Sequence, residues 1–177
     1  MPEERRSGLR QRLALGDRKE VGEAAAITRE VLDDPSLVRP LVDLLEDADE
    51  AVVAHAAHVV MQVGRDAPAL FLPYADRLLS ILRACGQWEI GEQLPKVLAV
   101  IELEDDQTQQ LADLLAAQVD AKSNIAAASA LTGLAELART GRIGEDIARD
   151  AINAALASPR KALAARARRI LQKAGWS

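Results

Sequence analysis

Aromatic side chains are nearly missing from this chain. Phe, Trp and Tyr together make up 2% of its 177 residues, while apolar residues reach 49%. A core must therefore be built from Leu, Val, Ile and above all Ala. Ala and Leu are strong helix formers, and few segments gather the β-branched and aromatic residues that strands favour. An all-α protein follows. Cysteine occurs once, at Cys85, which excludes an internal disulfide and a cysteine-based zinc site. The apolar runs are short and broken by charges, so no membrane span is expected. The N-terminal Met1-Pro2-Glu3-Glu4-Arg5-Arg6 lacks the apolar stretch of a secretory signal, and a cytoplasmic protein is the natural reading. There is no Gly-rich phosphate loop, no Gly-x-Ser-x-Gly setting and no evident nucleophile–base pair. A non-catalytic protein without a cofactor is expected. The net charge of −5 argues against wholesale binding of polyanions.

What the chain does have is a five-fold internal echo. Val21-Gly22, Val53-Ala54, Ile90-Gly91, Ile125-Ala126 and Leu163-Ala164 each place an aliphatic residue before a very small one, at spacings of 32, 37, 35 and 38 residues. A period of this size is the length of one helical hairpin. Short turns divide the sequence into repeats over 2–32, 36–64, 68–102, 106–140 and 143–175, all within a single domain spanning 1–177. Asp17 with Glu20 resembles a capping box, and Asp34 before Pro35 reads as an N-cap with proline at the first helical position. Outer helices are expected over Ser36–Glu46, Ala69–Ala84, Gln107–Val119 and Gly144–Ala157. Inner helices are expected over Glu50–Val63, Trp88–Ile101, Ser123–Ala138 and Arg160–Ala174. Pro73 and Pro95 fall inside helices and should kink or break them. On the inner helix from Glu50, Val53, Ala56, Ala57, Val60 and Val63 share one face, with His55, His58 and Gln62 on the opposite one.

The segments Val53-Ala54-x-x-Ala57-x-x-Val60, Ile90-Gly91-x-x-Leu94-x-x-Val97 and Leu163-Ala164-x-x-Ala167-x-x-Ile170 resemble the inner helices of the HEAT-repeat family. The Ile125 segment fits with a slip of one residue, reaching Leu131. Many HEAT inner helices carry arginine directly after the aliphatic anchor, and here that position is Gly or Ala throughout. The resemblance covers nearly the whole chain from Asp17 onward. It implies a right-handed α-solenoid (an α-α superhelix) of about five helical hairpins, each packed on its neighbours. It further implies a binding scaffold that uses the surface lined by inner helices.

Carried onto this chain, that surface comprises Glu23 and Glu30, then His55, His58 and Gln62, then Glu92 and Ala99, then Ala127 and Ala130, and finally Arg168 and Gln172. It runs from acidic through bare alanine to basic, which suits a protein or peptide laying down an apolar face. Trp88 opens an inner helix and Trp176 lies beside the C-terminus. An indole can stack on a base, and Trp88 joins the candidate binding residues of the inner face; large apolar area is usually buried, so packing is the competing reading for both. His55 and His58, three apart, could present two imidazoles to a metal. Without a third ligand they read instead as polar residues on an exposed face.

Charge is segregated along the chain. Residues 21–159 hold 10 basic against 23 acidic side chains, whereas 160–177 hold six basic and no acidic ones. Arg166, Arg169 and Lys173 form a stripe on the last helix. This serves either as a contact for an acidic partner or nucleic acid, or as the polar outer face of a terminal repeat. A HEAT-like family of DNA-alkylation glycosylases suggests a nucleic-acid-associated alternative. The acidic middle of the chain repels phosphates and disfavours it. An open end repeat would also suit a homodimer.

Overall fold

A computed structural model describes residues 2–15, 23–84 and 86–176. The Val21-Gly22 echo, the Asp17–Glu20 box and Cys85 lie outside the described residues. Within them every regular element is helical. The α-helices are α1 (Pro2–Leu13), α2 (Ala24–Asp33), α3 (Val38–Asp43), α4 (Glu50–Asp66), α5 (Ala75–Arg83), α6 (Trp88–Leu98), α7 (Asp105–Gln118), α8 (Asn124–Arg139), α9 (Glu145–Ala157) and α10 (Lys161–Ala174). None is long and apolar enough to cross a membrane.

Local chemistry sets these boundaries. The Asp49 carboxylate accepts the Ala51 N–H at 2.9 Å to start α4. The Ser123 hydroxyl accepts the Ala126 N–H at 3.2 Å to start α8. Glu104 and Gln107 form a reciprocal capping box at the head of α7, each satisfying a backbone donor that the first turn leaves unpaired. Gly175 stops α10 with φ of 66°, a conformation that costs glycine little.

Two outer segments are less regular than the sequence suggests. In place of one helix over Ser36–Glu46, tight 3-10 turns at Pro35–Leu37 and Leu44–Glu46 flank the short α3. Pro35 and Pro40 each withhold a backbone donor there, and a tighter turn tolerates the loss. Likewise Pro68–Tyr74 is a 3-10 segment, and α5 begins only after Pro73.

Pro95 behaves differently, since α6 runs through it to Leu98. The missing N–H of Pro95 would have bonded the carbonyl of Gly91. That carbonyl accepts instead from the Gln118 side-chain amide of α7 at 2.7 Å, and the same amide reaches the Ala126 carbonyl of α8 at 2.9 Å. A side chain from the neighbouring hairpin thus repairs the break, and three helices are tied at one point.

The even-numbered helices form a row in which α2 packs on α4, α4 on α6, α6 on α8 and α8 on α10. The odd-numbered helices pack beside this row: α3 on α1 and α4, α5 on α6 and α7, and α9 against both α8 and α10. Small residues line the seams of the row. Ala54, Gly91, Ala126 and Ala164 are all buried. A Cβ added at Gly91 would stand 3.0 Å from that of Ala126, so α6 and α8 meet nearly backbone to backbone. A Cβ at Gly64 would press Val97 at 2.8 Å, which sets the approach of α4 to α6 in the same way.

The echo holds at Val53, Ile90 and Leu163, each buried in the core. It fails at Ile125, which is 50% exposed. In α8 the core positions fall instead to Ala127, Ala130, Leu131 and Leu134, all fully buried. Arginines also tie together segments far apart in the sequence. Arg10 forks onto Asp47 at 2.9 and 3.0 Å, Arg142 donates to the Ala99 carbonyl at 2.9 Å, and Arg160 donates to the Val119 carbonyl at 3.2 Å. The last two close orphan carbonyls near the ends of α6 and α7.

Candidate binding groove

The residues singled out by sequence do not converge on one site. Glu23 and Glu30 face Arg12 of α1, with the Glu30 carboxylate gripped at 2.6 and 2.9 Å. That guanidinium holds the Glu30 carboxyl below its ordinary value. The pair clasps α1 to α2 and is taken up in doing so.

His55 is 3% exposed, which corrects its expected place on an open face. Its ring lies against α1, where Nδ1 meets the Leu13 carbonyl at 2.7 Å. A carbonyl only accepts, so Nδ1 carries the proton there. His58 is half-buried and bonds to Gln62 one turn on. Burial holds its imidazole below the usual value. The two histidines therefore do not present a joint ligand pair, and no group of three potential metal ligands occurs among the described residues.

Ala127 and Ala130 are fully buried, and Ala99 is 3% exposed. All three belong to the core rather than to a binding face. Trp88 is 44% exposed, which disfavours the packing alternative. It borders a cleft of about 470 Å³ with Lys122 and Gln118, at the loop edge of the helix row. Trp176 does pack against the core, with the Arg149 guanidinium 5.6 Å from its ring centre. Arg168 is exposed on α10.

Of the residues expected on the inner-helix surface, Glu92 alone lines a trough of about 520 Å³ between α6, α8 and α10, which Arg166 and Arg169 of the basic stripe also line. Its floor is apolar and shallow, formed by Ile125, Ala128 and Ala165. The α6 wall carries Glu92 and Lys96, paired with each other at 3.1 Å. Lys96 also donates to Gln93 at 3.1 Å. The α10 wall carries Arg166 and Arg169. Beneath the floor, Ser129 of α8 donates to the Glu92 carbonyl at 2.6 Å and fixes the two helices side by side. One wall is thus nearly neutral, the other positive, and the strip between them greasy.

Sequence reasoning missed the floor. The signal available was the one-residue slip of the fourth repeat: shifting the core face of α8 by one position swings Ile125, Ala128 and Thr132 outward and takes Ala127 inward. No protein-family model matches this chain, and no curated protein matches it.

Proposed function

We propose that this chain is a non-catalytic scaffold of the HEAT-like kind, a right-handed α-solenoid of about five hairpins, that binds a protein segment in the groove between α6, α8 and α10. The hairpin-length echo and the row of packed even-numbered helices support the architectural part. The observation that carries the binding part is Ile125. A large aliphatic side chain at the helical-repeat anchor position stands half exposed on the floor of a trough, beside alanines small enough to admit another backbone. An apolar strip rimmed by polar side chains marks an interaction surface.

A peptide selection tests this. Amphipathic helices displayed from a randomised library are expected to enrich on the wild-type protein and to fail on Ala128→Arg. Ala128 is half-buried on the groove floor, so its arginine fills the trough while leaving thermal unfolding within about 0.5 kcal/mol of wild type. Equal enrichment on both proteins would place binding elsewhere and remove the proposal.

A further inference from the structure

The two arginines on the α10 wall stand beside an apolar strip without a counter-charge. Acidic side chains outnumber basic ones 27 to 22 over the chain, and eight of the described arginines pair with carboxylates. Arg5 pairs with Asp34, Arg10 with Asp47, Arg12 with Glu30, Arg77 with Glu46, and Arg139 with Glu136. Arg166 and Arg169 have no hydrogen bond or ion pair among the described residues, and both are exposed. They face a groove whose one acidic side chain, Glu92, is already bound to Lys96. No acidic residue follows Pro159 in the sequence. The groove is therefore an electropositive lip over an apolar floor in an otherwise acidic protein.

Arg166 and Arg169 stand one helical turn apart, about 5 Å along the axis, which is the separation of carboxylates at i and i+3 or i+4 on another helix. Ile125, Ala128 and Ala165 lie beside them to receive that helix's apolar face. We propose, on the reading of the groove as a docking site, that its occupant is an acidic amphipathic helix of another protein. The helix bears two carboxylates one turn apart along the edge that meets α10 and aliphatic side chains on the face that meets α8. The paired Lys96 and Glu92 leave the α6 wall without net charge, so the acidic edge lies toward α10 and the orientation is fixed. Nucleic acid fits less well. No aromatic side chain lines the groove for a base to stack on, and the acidic excess over residues 21–159 repels a phosphate backbone.

The same displayed library, selected on the wild type and on an Arg166→Gln, Arg169→Gln double variant, reads the proposal directly. Both substitutions are on exposed side chains, and circular dichroism melting checks that the variant folds. Clones selected on the wild type are expected to carry Asp or Glu at pairs spaced three or four apart. Synthesised as a free peptide, such a clone is expected to bind about three- to tenfold more tightly than its Glu→Gln version, the return from two part-exposed ion pairs. The double variant is expected to abolish that difference. Clones that enrich only when Ala128 is intact but show no acidic bias would overturn the acidic partner and leave the groove reading standing. Enrichment indifferent to Ala128→Arg would remove both. Tight binding of an 18-base-pair DNA duplex at 0.15 M salt, lost in the double variant, would overturn the proposal in favour of nucleic acid.

Discussion

Replacing Leu131 by alanine is expected to cost about 2–5 kcal/mol, while replacing Ile125 by alanine costs less than about 1 kcal/mol. From the repeat pattern alone the anchor of the fourth inner helix is Ile125, and its loss should be the damaging one. The structure reverses that order. Leu131 is fully buried, and α8 packs on α6, α7, α9 and α10, so a cavity there opens among several helices at once. Ile125 is 50% exposed over the groove, and truncating it removes little buried area. Urea unfolding of the two variants, with unchanged slopes, checks the ranking. Equal costs would mean that α8 sits one residue away from the described register.

Gln118→Leu is expected to destabilise by about 1–2 kcal/mol although the side chain is only part-buried. The shape is nearly kept, but the amide that serves the Gly91 and Ala126 carbonyls is gone. The Gly91 carbonyl has no helical donor to fall back on, because Pro95 supplies none. The neighbouring cleft lets water replace part of the loss, which keeps the figure at the lower end of the range for a buried acceptor. A double-mutant cycle with Pro95→Ala separates this account from simple loss of packing. Restoring a donor at position 95 should make the Gln118→Leu change cheaper. Strict additivity would show that the amide does not compensate for the proline.

Much of the fold is legible in the sequence because hairpin-length spacing and turn chemistry act locally. The starts of α4, α8 and α10 fall within a residue of the expected Glu50, Ser123 and Arg160. The proline-rich outer segments are less legible: Pro35 and Pro40 forbid a regular helix without specifying the alternative, and packing chose 3-10 turns. The site is harder still, for two physical reasons. Helical periodicity assigns one buried face, but α4 packs against α1, α2, α3 and α6, so the side opposite its valines is covered as well. His55 was expected in solvent for that reason and instead meets Leu13. In α8 the difficulty is alanine. A helix reading Asn124-Ile-Ala-Ala-Ala-Ser-Ala-Leu offers little contrast between its sides. Ala127 and Ala130 cannot be told from Ala128 until a neighbouring helix is in place. Arg166 and Arg169 were visible as a stripe, but the groove they overlook needs α6 and α8 beside them.

The close approach of α6 and α8 underlies both the row of even-numbered helices and the trough beside it. A cysteine pair introduced as Gly91→Cys with Ala126→Cys, in a chain carrying Cys85→Ser, measures that approach. The Cβ atoms would start about 3.0 Å apart, so a small easing of the helices brings them to the roughly 3.5–4.5 Å that a disulfide requires. Mild oxidation of dilute protein is expected to give an intramolecular bond, read by intact-mass spectrometry as the loss of two hydrogens without a dimer. Free thiols after oxidation in a variant that still folds, or bonds formed only between molecules, would show that these two helices do not lie side by side.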